Sequence, residues 1–581
     1  MKNLKTLLLG LFVVATTSLT AQIEHHLPAD AAIVVEMNFG HLDEKYDLGQ
    51  IRELNLWNFM MGEAKNELPP AKLEMFQNFT KDPTMYGFDG LAKSYFFMRI
   101  PNGEDYEFGF IGQLTDARKA EQFIDGLDES VPETMIEGGM KYKQIDKDAV
   151  LAWNDQFIFM GGMDANSIPW EERQDKMPAM TKAWSGQVLK GFTKNLGTNP
   201  GWLKSQRTQD DFSLFLNYAY LQDLMGEESG QEEMKMGLSM MGLDGLAENY
   251  DRMYEDMYLE AALNFNDGAI VMSTDLFMND RMQQIYQKAN SSGFHNKMVK
   301  YINGEELLGF YHFNYDLAGA LDGIKSYVTH LNDGERPAAF DMMEEGTELM
   351  GIKLNEKTIT EMVTGDILVA INGIRMVEQE VTEYEYDEDF NATPVVTTQE
   401  VPMPIFTAVS HYDEDDQWEN LLELGQDMEF LTPAGKLFKV NIPDMDLDLW
   451  LGMRDNLIVL TNDPALSTKK GLKKGYGKRN MPSTDVLRML NENNQTFFVD
   501  FDAAIEAANK MQVMDVMTGM AVGMVQQQLE SFVIRAPRSQ INTGHADMML
   551  NMKDDDTNSL KSVLEFVDMI MGTMGMTGSR S

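Results

Sequence analysis

The sequence predicts an α+β fold made of two tandem related copies, each an antiparallel-type sheet with helices packed on one face. Residues 27–39 (LPADAAIVVEMNF) set Ile33, Val35, Met37 and Phe39 against Val34, Glu36 and Asn38, the period-two pattern of a half-buried strand. Residues 302–314 (INGEELLGFYHFN) repeat that plan 275 residues later. Five more segments then recur in the same order, which generic alternation of strands and helices does not produce.

Each element can be justified in turn. Met1–Lys5 carry two lysines, residues 6–19 (TLLLGLFVVATTSL) are mainly apolar, and the small residue Ala21 precedes Gln22. That reads as a secretory signal peptide over 1–21, too short for a membrane span of about 20 residues. It places the mature chain outside the cytoplasm, periplasmic or secreted. The first copy then spans 22–290. In it GFDGLAKSYFFMRI (87–100) is a turn entering a strand, echoed by GIKLNEKTITEMVTGDILVAI (351–371). FIGQLTDARKAEQFIDGL (110–127) and AVSHYDEDDQWENLLEL (408–424) run from a strand to an acidic helix start, at Asp116 or Asp413. AWNDQFIFMGGMD (152–164) and GMRDNLIVLTNDP (452–464) each fold two strands around an Asn/Asp turn. DDFSLFLNYAYLQDL (210–224) and NNQTFFVDFDAAIEA (493–507) run from strand into helix. ALNFNDGAIVMSTD (262–275) corresponds loosely to RSQINTGHADMMLNMK (538–553). The Ser/Asn/Gly cluster QKANSSGFHNK marks a boundary, so the second copy spans 295–575. An acidic stretch, 376–402, is extra in the second copy and reads as a surface insertion.

Composition excludes several chemistries. There is no cysteine, which removes disulfides, thiolate metal sites, Cys nucleophiles and lipid attachment through a Cys. The net charge of −44 repels nucleic acid and anionic membranes, while 43% hydrophobic and 10% aromatic residues supply a packed core.

LPADAAIVVEMNFGHL, DPTMYGFDGLAKSYFFM, VLAWNDQFIFM, LNFNDGAIV and NSLKSVLEFV together resemble an uncharacterised family of large extracytoplasmic proteins from Bacteroidetes, catalogued only as a domain of unknown function. Members are commonly lipoproteins; this chain lacks the Cys, so the resemblance implies no lipid anchor here. It implies no activity and no catalytic residues either.

The residues themselves offer few sites. No P-loop, GxGxxG, GxSxG or HExxH is present. The eight histidines, His25, His26, His41, His295, His312, His330, His411 and His545, are scattered without ligand spacing, so no metal or cofactor is expected. Ser467 and Lys470 meet the Ser-x-x-Lys pattern but sit in a Gly- and Lys-rich segment that would not desolvate the lysine. Asp444, Asp446 and Asp448 lack the Gly and Glu of a calcium loop, and KDDDTN (553–558) reads as a polar turn.

Two features remain. Lys469, Lys470, Lys473, Lys474, Lys478 and Arg479 form a cationic run opposed in sign to the whole chain, a candidate patch for an anionic ligand or else a solvated loop. Met511, Met514, Met517, Met520 and Met524 share one helical face, a core stripe or an adaptable apolar surface. The reading that follows is a non-enzymatic binding or scaffold protein whose partner is an envelope protein, glycan or lipid. The alternatives are a carboxylate-based hydrolase, which needs two facing carboxyls of raised pKa, and a lipophilic-ligand carrier, which needs an enclosed apolar cavity.

Overall fold

A computed structural model describes residues 23–127, 134–205, 210–218, 220, 231–240, 243–290, 293–332, 334–349, 352–386, 392–414, 416–442, 447–511, 522–523, 525–538 and 543–573. The signal peptide expected at 1–21 lies outside these residues, as do Asp444, Asp446, Met514, Met517, Met520 and Met524. The chain divides into two compact units. The first comprises 1–234, 250–279 and 554–581, the second 235–249 and 280–553.

Among the described residues the first unit has ten strands: β1 (Ala31–Asn38), β2 (Lys93–Arg99), β3 (Asp105–Gln113), β4 (Met135–Glu137), β5 (Met140–Asp146), β6 (Ala149–Trp153), β7 (Phe157–Ala165), β8 (Phe212–Asn217), β9 (Tyr258–Asn266) and β10 (Ala269–Phe277). They pair antiparallel in the order β4-β5-β6-β7-β3-β2-β1-β8-β9-β10. The period-two strand foreseen at 33–39 is thus an interior strand of the sheet, between β2 and β8.

Among the described residues the second unit also has ten such strands: β11 (Gly309–Asn314), β12 (Asp366–Tyr386), β13 (Ala392–His411), β14 (Leu431–Ala434), β15 (Leu437–Val440), β16 (Leu449–Arg454), β17 (Leu457–Thr461), β18 (Asn493–Asp500), β19 (Leu529–Pro537) and β20 (Gly544–Met552), besides a separate two-stranded pair. Their antiparallel order is β14-β15-β16-β17-β13-β12-β11-β18-β19-β20. Strand for strand it is the order of the first unit. Equivalent register positions even carry a polar pair in reversed order. Glu36, opposite Ser213, holds Lys93; His312, opposite Thr496, faces Asp366 at 3.4 Å.

Helices do not keep to one face, as the sequence reading had them. Along β6 and β7, Val150, Ala152, Phe157 and Phe159 join the core with Trp184 and Val188 of helix Trp170–Lys190. The intervening Leu151, Trp153 and Ile158 join a second cluster with Phe79 and Phe123 from helices Pro70–Lys81 and Ala117–Leu127. A strand buried on both sides reads as a continuous apolar run, and FIFMGGM at 157–163 is one.

The units also depart from a division at 290/295. Helix Asp280–Ala289, which follows β10, belongs to the second unit and packs on helix Leu317–Leu331, where Gly323 leaves room for Ile285. Helix Ser559–Thr573, which follows β20, belongs to the first unit, where the Asp568 carboxylate accepts the Asn55 backbone N–H. Each unit is completed by the helix that follows the other run of ten strands.

The acidic stretch is a ribbon, not a loop. After a bulge at Asn372–Gly373, β12 and β13 continue as a two-stranded hairpin from Ile374↔Pro404 to Tyr386↔Ala392. Thirteen register pairs at about 3.3 Å each give it a length of about 40 Å.

Candidate functional site

The cationic run is the sequence-predicted site that the structure describes in full. Residues Lys469–Lys474 form a short helix capped by the Thr468 side chain, and Lys478–Asn480 a 3-10 turn. Lys469, Lys470, Lys473, Lys474, Lys478 and Arg479 are all exposed, and among the described residues none of the six forms an ion pair. Elsewhere on the same unit several cations are matched: Lys300 with Asp455, Lys325 with Glu344, Lys439 with Asp448.

A solvated loop would be loosely held, and this run is not. Leu472 is buried in the second unit's core, and its carbonyl accepts the Tyr301 hydroxyl at 2.9 Å. The Tyr476 N–H donates to the Lys300 carbonyl at 2.9 Å, and the Gly304 N–H to the Asn480 carbonyl at 2.8 Å. Two glycines make these approaches sterically possible. A Cβ on Gly471 would strike the Ala465 carbonyl, and one on Gly475, at φ +61°, would strike that of Lys300.

Tyr476 ties the run to the root of the ribbon. Its hydroxyl donates to the Asp463 carboxylate, and burial together with that carboxylate raises its pKa. Beside it, buried Asn372 donates to Thr407 Oγ1 at 3.2 Å and to the Tyr301 carbonyl at 3.1 Å, and accepts the Asn303 N–H at 2.9 Å. Asn462 accepts the Phe406 N–H and donates to the Pro404 carbonyl, both at 2.8 Å. The cationic run and the acidic ribbon therefore leave the same end of one sheet, joined by satisfied polar side chains, an arrangement that rigidifies a site.

The other sequence candidates fare differently. Ser467 donates its hydroxyl to the Pro464 carbonyl at 3.0 Å, and Lys470 is exposed. Asp554 accepts N–H groups from Asp556 and Thr557, the polar turn expected at 553–558. Met511, half-buried, closes helix Phe501–Lys510.

Sequence reading missed one convergence. His295, His312 and His411 gather about Asp366: its carboxylate accepts the His295 N–H at 2.7 Å, and the His295 and His411 rings stack 4.1 Å apart. Burial and the neighbouring His295 hold His411 below the usual histidine range. Spacings of 17 to 116 residues carry no local signal for this cluster. Among the described residues no group of three His, Cys, Asp or Glu side chains could hold a metal ion.

Carboxyls of raised pKa do occur. Burial pushes Asp89 up to about 6 and also raises Glu107. They do not face each other, because Asp89 donates its N–H to the Gln113 carbonyl at one end of β3 while Glu107 meets Arg99 near the other. Two grooves, of about 920 Å³ around Arg488, Arg535 and Arg538 and about 780 Å³ around Lys182 and Lys190, hold neither residue and are lined with charge. Asp89 is buried with an oxygen lacking a partner, so its ionisation opposes folding. Its folded pKa exceeds the unfolded value, so its contribution to stability is complete at low pH and lost as pH rises through about 6. Asp89→Asn is therefore expected to stabilise the protein by about 1–3 kcal/mol at pH 7 and by nothing below about pH 4. Urea unfolding at the two pH values checks this; an equal effect at both would refute it.

A family model described as a domain of unknown function (DUF4836) matches residues 23–316. No curated protein matches the chain. Among solved structures it is similar to crystal form III of TP0453, at 9% identity and a TM-score of 0.25, covering 48% of this chain and 90% of that one. Crystal form IV of TP0453 gives 8%, 0.24, 47% and 86%. Likeness at those scores carries no argument about fold or function.

Proposed function

The chain belongs to the DUF4836 family, which brings no activity with it, and we propose from its own geometry that it is a non-enzymatic binding or scaffold protein working outside the cytoplasm. The observation that carries this is the cationic run: six exposed charges without carboxylate partners among the described residues, clamped to a rigid sheet end in a chain of net charge −44. A cationic surface whose geometry is fixed in advance binds an anionic partner without a large ordering cost. The leader at 1–21 supports export. The common strand order of the two units and the reversed pair at matching register support a tandem duplication of one ten-stranded plan. In it the second copy alone gained the ribbon and the cationic run.

Retention on immobilised heparin at low salt tests the reading. Overall charge predicts no retention, so any must come from grouped cations. The Lys469→Glu/Lys470→Glu/Lys473→Glu/Lys474→Glu variant is expected to bind at least about tenfold more weakly than wild type. Reversing four dispersed lysines should change little. Equal losses from both variants would end the proposal.

A further inference from the structure

We infer that the cationic face of 469–479 takes the acidic ribbon of a second copy of this chain, so that two copies pair by exchanging ribbons. This rests on the binding reading above and names the occupant. Between 376 and 402 the sequence has eight carboxylates and no lysine or arginine; between 469 and 479 it has six cations and no carboxylate. Two chains of charge −44 repel each other over most of their surfaces, and this is the approach that brings opposite charges together.

The ribbon is built for an incoming partner. Among the described residues, β12 beyond Ile371 and β13 before Thr407 pair only with each other. Glu378 and Glu400, both exposed, stand directly opposite, and Val377 is opposite Val401. Like charges facing across a ladder destabilise it, and an approaching cationic surface removes that penalty. A two-stranded ribbon about 40 Å long that prolongs its own sheet leads away from its root. It therefore does not serve the run anchored at that root.

Symmetry follows from the placement. Ribbon and cationic run share one sheet end through Asn372, Thr407, Asn462 and Tyr476. When two such ends meet about a two-fold axis, the first ribbon reaches the second run and the second ribbon reaches the first run. Both contacts close at once, giving a dimer rather than an open chain.

Sedimentation equilibrium of the full mature chain tests this with the quadruple lysine variant and a ribbon variant, Glu378→Lys/Glu380→Lys/Glu383→Lys/Glu385→Lys/Glu400→Lys, whose ribbon keeps three carboxylates against five lysines. Wild type is expected to dimerise in low salt and to weaken at least about tenfold in ~0.5 M salt. Each variant alone, now with ribbon and run of like sign, should be monomeric. An equimolar mixture should dimerise again, because both contacts regain opposite signs. A wild type monomeric at ~100 μM, or a mixture that stays monomeric, overturns the inference. If wild type is monomeric while the lysine variant still loses heparin retention, the exchange falls and the binding reading stands. If that variant keeps full retention, the binding reading falls with it.

Discussion

Replacing Asp211 by alanine is expected to lower the unfolding free energy of the first unit by about 3–5 kcal/mol. The carboxylate is fully buried at the start of β8. Its Oδ2 lies 2.8 Å from Lys45 Nζ and accepts the Phe265 N–H at 2.6 Å, and its Oδ1 lies 2.9 Å from His41 Nδ1. His41 and Lys45 are four apart on helix Phe39–Lys45, so one turn presents both to the same acid. Alanine would leave the Lys45 ammonium, 14% exposed, without its counter-ion and the Phe265 N–H without an acceptor. Each is a separate desolvation cost.

The readout is convenient, because Trp57, Trp153, Trp170, Trp184 and Trp202 lie in the first unit and only Trp418 and Trp450 in the second. Tryptophan fluorescence in a urea titration thus follows chiefly the first unit. Asp211→Asn, which keeps an acceptor but loses the charge, should fall between wild type and alanine. Glu172→Ala is the control: its pair with Lys176 lies in the same unit and is exposed, and the expected loss is below about 0.5 kcal/mol. Equal effects at Asp211 and Glu172 would show that burial of the pair is not what matters.

What the sequence discloses and what it hides divide along physical lines. Alternation over 33–39 places a central strand because side-chain period is a local property. The Asn154 turn and the Asp455–Asn456 turn, both residues of the latter at positive φ, are readable because their shapes need those side chains. The exchange of helices 280–289 and 559–573 is not readable, since an apolar stripe demands a partner without saying which. The length of the ribbon was visible as an excess of residues, but not its pairing. The anchoring of the cationic run is hidden for a different reason. Two of its bonds join backbone groups that every residue carries, the Tyr476 N–H to the Lys300 carbonyl and the Gly304 N–H to the Asn480 carbonyl, and the third brings the distant Tyr301 hydroxyl to the Leu472 carbonyl. Only Gly471 and Gly475 hint at it, and in a lysine-rich stretch glycine reads equally as a flexible loop.

That anchoring leads to the second large effect, at Gly475. Alanine there must hold φ near +61° and also place its Cβ against the Lys300 carbonyl oxygen, so the segment has to move. The N–H of Tyr476 then loses its acceptor, and the Tyr476 hydroxyl is drawn off Asp463 inside a buried polar network. A local cost of about 2–4 kcal/mol is expected, raising the population of the detached run by a factor of about 30 or more. Trypsin reports this directly, because cleavage after Lys473, Lys474 or Lys478 needs the backbone released even though the side chains already face solvent. Wild type should resist cleavage in this run, and Gly475→Ala should be cut there at least about tenfold faster, with tryptophan-detected unfolding of the first unit unchanged. Heparin retention should fall in parallel, although no charge has been removed. Equal cleavage rates would mean the run is free in wild type and its charges act as a flexible cloud; faster cleavage with retention intact would mean that charge, not its fixed geometry, makes the contact.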